Sequence, residues 1–338
     1  MKTFMRGLYM MLVLALLLTG CSSPATTPSA SQEPTKIRMQ LEPYMSYIPL
    51  YIADKEGYLA EQGLQLEDFK LEETESLVGL AKGQLDLVAD ILNAAMINNI
   101  AKTKNLKIVA DKGYIDPEGC NVNALSARKD LVDSGLLADP AGFTGLSIVF
   151  DPLSIEGLFM EKILSPAGLT LDALKPIELE SPAAEIDAFN HKSIDLTIDS
   201  EPWVTRNSIE AGTVVVKGFK DILPNYQYSI IIFGPSLLEK NPEAGRRLMV
   251  AYLKAVKQYN QGKTDRNLEL MAAFTGLDRE LLKKTCWPYL RADGTINFES
   301  VNEYQAWAVK QGLLEQAIPQ EQYWDGQYIE FAKKTIGG

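Results

Sequence analysis

EPYMSYIPLYIADKEGYLAEQGLQLE, residues 42–67, decides the reading of the fold. Just before it, Ile37, Met39 and Leu41 alternate with Arg38 and Gln40, which is strand spacing. The loop EPYMSY follows. Pro49 then suits the first turn of a helix, Gly57 stops that helix, and a second short turn ends at Gly63. Leu64-Gln65-Leu66 reads as a second strand. A strand, a tyrosine-bearing loop and a helix in this order have two readings: a packed corner, or the mouth of a site. Tyr44 and Tyr47 fall in the loop, whereas Tyr51 falls inside the helix and reads as core.

The same rhythm extends outward. Strands are expected at 86–90, 107–111, 145–150, 176–179, 194–198 and 213–216, separated by helical patterns, one of them capped at Thr74. A long amphipathic helix opens at Asn241-Pro242, and the last hundred residues are mainly helical. Strands alternating with helices predict an α/β fold with parallel sheets covered by helices. In such sheets ligands sit beyond the carboxyl ends of the strands, where helix starts offer unpaired amides and partial positive charge. The segments 42–47, 90–93, 151–154 and 199–203 are those ends. With NYQYSIIIF, read as a returning crossover, they supply the candidate ligand contacts Glu42, Tyr44, Tyr47, Asp90, Asn93, Ser154, Glu201, Trp203, Tyr226 and Tyr228. Several have a plainer alternative: helix capping for Asp90 and Asn93, as for Asp151 and Asp199 in the same segments, and packing for Trp203, Tyr226 and Tyr228.

The chain has 338 residues with 33 basic and 44 acidic side chains, a balance that argues against nucleic acid as a partner. Residues 1–20 (MKTFMRGLYMMLVLALLLTG) pair Lys2 and Arg6 with an apolar run too short to span a bilayer, the pattern of a signal peptide. Leu18-Thr19-Gly20-Cys21 resembles a bacterial lipobox, which implies cleavage before Cys21 and its lipidation, hence a lipid-anchored, extracytoplasmic protein; a plain signal peptide is the alternative. Residues 21–35 are rich in Ser, Thr and Pro and read as a tether. Cys120 and Cys286 are expected as two buried thiols, with a disulfide as the alternative.

IPLYIADKEGYLAEQGLQLE (48–67) followed by LAKGQLDLVAD (80–90) resembles the opening of the nitrate, sulfonate and thiamin-precursor family of periplasmic binding proteins. SEPWVTRNSIEAG (200–212), GPSLLEKNPEAGRRLMVAYLKA (234–255) and CWPYLRADGTINFESVNEYQAW (286–307) resemble its later segments, so the likeness runs over about residues 36–334. The resemblance implies a type II periplasmic-binding-protein fold. Lobe one would hold 36–124 and 230–338, lobe two 125–229, with a hinge and a ligand cleft between them. It also implies capture of a small solute and its delivery to an ABC permease. Separately, a monomer with no cofactor and no metal is expected: the single histidine rules out a His-based metal site, though not an all-oxygen calcium site.

The four strand-end segments contain no Lys or Arg, and Arg206 is the nearest candidate. Carboxylates with aromatic rings suit a flat heterocycle with donor groups, or an amine-like cation, more than a sulfonate or nitrate. The anion stays open as the alternative, as does a signalling receptor in place of the permease. An enzyme is not expected. His191 stands alone in a polar stretch, no Gly-x-Ser-x-Gly elbow exists, and the cysteine-rich run of the thiamin-pyrimidine enzymes is missing.

Overall fold

Residues 33–69 and 76–337 are described by the structure, a computed structural model. The signal peptide, Cys21, the tether up to residue 32 and Thr74 lie outside the described residues. Among the described residues the strands are β1 (Thr35–Met39), β2 (Leu64–Asp68), β3 (Leu87–Ile91), β4 (Lys107–Tyr114), β5 (Asn123–Ala127), β6 (Ser147–Val149), β7 (Lys175–Pro176), β8 (Leu196–Ser200), β9 (Val214–Gly218) and β10 (Gln227–Phe233). The helices of eight residues or more are α1 (Ile48–Lys55), α2 (Ala94–Thr103), α3 (Ile155–Leu164), α4 (Pro182–Asn190), α5 (Trp203–Ala211), α6 (Pro242–Tyr259), α7 (Asp265–Thr275), α8 (Phe298–Lys310) and α9 (Gln327–Ile336).

Two sheets carry the two-lobed α/β fold: β3-β10-β4, flanked by the parallel pair β1-β2, and β7-β6-β8-β5-β9. They are not purely parallel. β10 runs antiparallel to both β3 and β4, and β5 antiparallel to both β8 and β9. The reason is topological. The chain leaves β4 at its carboxyl end and enters the other sheet through β5, which must start where its neighbours finish. β9 to β10 repeats the move in reverse. The two crossovers, 115–122 and 219–226, hold each other: Ile115 N–H donates to Tyr226 O and Asn225 N–H to Ile115 O, both at 2.8 Å.

Local sequence explains the elements. β1 buries Ile37 and Met39 on one face. α6 starts at Asn241, whose side chain accepts from Ala244 N–H, and buries Ala244, Leu248, Ala251, Tyr252, Ala255 and Tyr259. β5 is absent from the expectations above, because Asn-Ala-Leu-Ser-Ala has no β-branched residue and no alternation; every side chain in it is buried. The strand expected at 176–179 ends at Pro176 instead, which frees 177–181 as a loop.

One hydrophobic cluster lies between β1, α1, α6 and α9. A second contains Ile97, Ile108 and Ile230 with Leu125, Ile148 and Phe159, so it runs continuously from one sheet to the other. At its centre Phe159 stacks on Phe219 of the second crossover at 3.9 Å, and Phe219 meets Tyr228 edge-on.

The expectation of two buried thiols is corrected. Cys120 and Cys286 form a disulfide, with Cys120 exposed and Cys286 half-buried. The first crossover runs beside residues 286–291. Tyr114 N–H donates to Tyr289 O at 3.1 Å and Cys120 N–H to the Tyr289 hydroxyl at 2.9 Å. That neighbourhood brings together two cysteines 166 residues apart.

Candidate functional site

The carboxyl ends of β3, β6 and β8, the last residues of β4 and the start of β10 converge on a cavity of about 300 Å³. Backbone bonds join the sheets' loops beside it. Met45 N–H donates to Glu201 O at 3.0 Å, Ala94 N–H to Leu153 O at 2.9 Å, and Ile155 N–H to Leu92 O at 3.0 Å.

On the first-sheet wall, Tyr47 lies at the end of a short 3-10 turn, Met45–Tyr47, ahead of α1. Its hydroxyl donates to Ala89 O. The Lys112 ammonium sits 3.8 Å above the Tyr47 ring and donates to the same carbonyl at 3.1 Å. Burial lowers the Lys112 amine to about 7, against the pull of Asp90 and Glu42. Asp90 accepts from Ile91 N–H at 2.7 Å and from the Asn93 amide at 3.1 Å, and burial raises its carboxyl. Glu42 accepts from the Gln40 amide.

The second-sheet wall is made of acids. Ser154 caps α3, accepting from Glu156 N–H at 3.1 Å and donating to Asp151 O at 2.8 Å. Glu156, in the first turn, accepts from Asp151 N–H at 2.8 Å and from the Tyr228 hydroxyl at 2.9 Å. Burial pushes its carboxyl up to about 8. Glu185 on α4 and Asp199 at the end of β8 both accept from the Asn207 amide at 3.3 Å. Burial lifts Glu185 to about 7, and burial together with Glu185 holds Asp199 well above the ordinary carboxylate range. Glu178 and Glu180, on the loop freed by the short β7, stand at the open rim.

Of the ten residues expected from the sequence, Glu42, Tyr44, Tyr47, Asp90 and Tyr228 line this cavity. The other five lie elsewhere. Asn93 and Ser154 are spent as buried caps of α2 and α3. Glu201 precedes a cis Pro202, accepts from Thr205 N–H and its hydroxyl at 3.1 and 2.8 Å, and lines a smaller adjoining cavity of about 20 Å³. Trp203 is buried with the Arg206 guanidinium 4.8 Å above its ring. Tyr226 is buried at the end of the second crossover, and burial, followed by the neighbouring Glu303, raises its phenol.

Lys112, Glu156, Glu185, Asp199 and Ser229 line the cavity without having been among those candidates. β4 runs three residues beyond the expected 111, and this carries Lys112 to the wall. The signal for Glu156 was present: an acid two residues after a capping serine, at the positive end of a helix. Glu185 carried no such signal, because its place depends on α4 packing beside α5.

The chain's residues 45–261 match the family model described as NMT1/THI5 like. No curated protein matches the sequence. Among solved structures, a ligand-binding component of an ABC-type import system from Staphylococcus aureus, with zinc bound, is 16% identical with a TM-score of 0.72; the match covers 89% of this chain and 99% of that one. The periplasmic nitrate-binding protein NrtA from Synechocystis PCC 6803 is 14% identical with a TM-score of 0.70, over 90% and 89% of the two chains. The desulfurization enzyme DSZB is 14% identical with a TM-score of 0.62, over 89% and 99%.

Proposed function

Because the chain belongs to the NMT1/THI5-like family, we propose that it is an extracytoplasmic solute-binding protein, tethered through lipidated Cys21, that captures a small molecule and delivers it to an ABC permease. The observation that carries the reading is the cavity between the two sheets, at the strand ends where such a fold presents ligands. In this reading lobe one is 36–124 with 230–338 and lobe two is 125–229; β5 and β10 straddle the two boundaries. The lobes swing about the paired crossovers, and the protein works as a monomer. Among the described residues no helix is long and apolar enough to cross a membrane.

For the solute, the reading favours a donor-bearing heterocycle or an amine-like molecule. Eight carboxyls and one lysine line the cavity, along with Tyr44, Tyr47, Phe150 and Tyr228. An anion of the nitrate or sulfonate kind is the second reading, supported by Lys112 and by the fold shared with a nitrate-binding protein. Turnover is not part of the proposal, although an enzyme shares the fold. Mass spectrometry of small molecules released from the gently purified chain, followed by a melting screen with each released compound, tests it. A binder at 100 times its Kd adds about 2.7 kcal/mol. A chain that releases nothing and is stabilised by nothing is not a solute carrier.

A further inference from the structure

Glu156, Glu185 and Asp199 stand together on the second-sheet wall, each at most 7% exposed. The partners they accept from are neutral: the Tyr228 hydroxyl and Asp151 N–H for Glu156, the Thr197 hydroxyl and Asn207 amide for Glu185, the same amide and Ser200 N–H for Asp199, and Glu185 and Asp199 also share a proton in a hydrogen bond with each other. None of them brings a positive charge. Five further carboxyls line the cavity: Asp151 just before α3, Glu178 and Glu180 at the rim, and Glu42 and Asp90 opposite. Among the described residues Lys112 is the one cation in the lining, and it is already placed over Tyr47 and on Ala89 O, between Asp90 and Glu42.

A second, independent observation comes from β10. Ser229 is 2% exposed, lines the same cavity, and its hydroxyl has no hydrogen-bond partner among the described residues. Buried polar atoms without a partner are rare and costly, and one at a cavity wall marks a position for a group from outside the chain.

We infer that the cavity takes a compact organic cation, an ammonium, amidinium or guanidinium held by Glu156, Glu185 and Asp199, with a second polar group meeting Ser229; this rests on the solute-binding reading above. A metal ion is not the occupant argued for, because among the described residues no group of three or more His, Cys, Asp or Glu is placed to hold one. An anion would require the wall to stay fully protonated around it, whereas a cation supplies the charge that the wall lacks.

The two cases differ in proton traffic. Before a ligand binds, burial favours the protonated form of these carboxyls near neutral pH, with Glu156 up to about 8 and Glu185 up to about 7. An arriving cation favours the ionised carboxylates and expels protons. An arriving anion favours the acids and draws protons in.

The test uses the purified full chain. A low-molecular-weight cell extract is split by ion exchange into cationic, neutral and anionic fractions, and each is assayed for a rise in melting temperature. Benzamidine is then titrated calorimetrically in two buffers of different ionisation enthalpy. The expected result is stabilisation by the cationic fraction and net proton release on benzamidine binding. Binding should weaken at least about tenfold in the Glu185→Gln/Asp199→Asn double variant, the loss of a 1.4 kcal/mol contact. Stabilisation by the anionic or neutral fraction alone, or net proton uptake, overturns the cation and leaves solute capture standing. Stabilisation by no fraction overturns both. The proton count is read on the unaltered chain, so it decides the matter even where the double variant does not fold.

Discussion

The Tyr228 hydroxyl, on the strand that returns to the first sheet, donates to Glu156 Oε1, on the helix that follows β6 in the second, at 2.9 Å. A second bond, from Ser200 Oγ at 3.2 Å, reaches the same hydroxyl. One phenol therefore ties together three elements around the cavity. Tyr228→Phe keeps the ring against Phe219 and removes only the oxygen. The expected cost is about 1 kcal/mol of unfolding free energy, read from urea midpoints. The Glu156 carboxyl should also titrate higher still, because its bond from Tyr228 favours the ionised form. An unchanged Glu156 titration by carboxyl NMR would mean that Tyr228 acts by packing alone.

Stability should fall as pH rises from 5 to 7. Burial raises Glu156 to about 8, Glu185 and Glu201 to about 7, and Asp111 to about 6. Each folded-state value lies above the unfolded one, so the folded chain holds more protons across this window. The stability of these groups is complete below the ordinary carboxyl range and is lost as pH rises through the folded values, at up to about 1.4 kcal/mol per pH unit for each proton. Lys112 acts elsewhere. Its folded value, about 7, lies below the unfolded one, so its contribution returns only above pH 7. Glu156→Gln should flatten the slope between pH 5 and 7. A flat profile in the unaltered chain would contradict the buried-acid account.

Removing the disulfide should cost about 2–5 kcal/mol, at the upper end because the closed loop is long. Cys120→Ser/Cys286→Ser, or reduction of the unaltered chain, should lower the denaturation midpoint by matching amounts. The crossover would then keep Tyr289 only through hydrogen bonds. Equal midpoints with and without reductant would mean that the bridge carries no stability.

Gly157→Ala should destabilise the chain by about 1–3 kcal/mol. A Cβ there would lie 2.2 Å from the Pro152 carbonyl oxygen and 3.0 Å from the Trp307 ring. A backbone oxygen has no rotamer to escape through, so the start of α3 must shift, and Glu156 with it. Calorimetric melting of the variant measures the effect; a melting point within a degree of the unaltered chain would show that the loop yields freely.

Much of the fold was legible because its signals are local. Alternation at Ile37 and Met39, Pro49 inside a first turn, and Asn241-Pro242 ahead of an apolar stripe all survive in the structure. β5 was not, because a strand buried on both faces loses its period. In the site, the loop residues Glu42, Tyr44 and Tyr47 could be found from the strand-end rule. Lys112 and Glu185 could not, since one required the true end of β4 and the other the packing of α4 on α5. Asn93 and Ser154 show the opposite limit. A cap and a ligand contact have the same sequence signature, and only the positions of Met96 N–H and Glu156 N–H tell them apart. The pairing of Cys120 with Cys286 is hidden for a related reason: sequence distance says nothing about which loops lie side by side.

The antiparallel placing of β5 and β10 makes everything between the two crossovers a cassette. Its entrance at Ile115 and its exit at Asn225 and Tyr226 are bonded neighbours. The first sheet's covalent path therefore closes over a gap the width of one strand pair. Exchanging residues 116–224 for the matching piece of a relative would transplant Glu156, Glu185 and Asp199 as a block and leave Tyr47, Asp90 and Lys112 behind. Evolution can thus redraw one half of the cavity in a single recombination while the other half stays as it was.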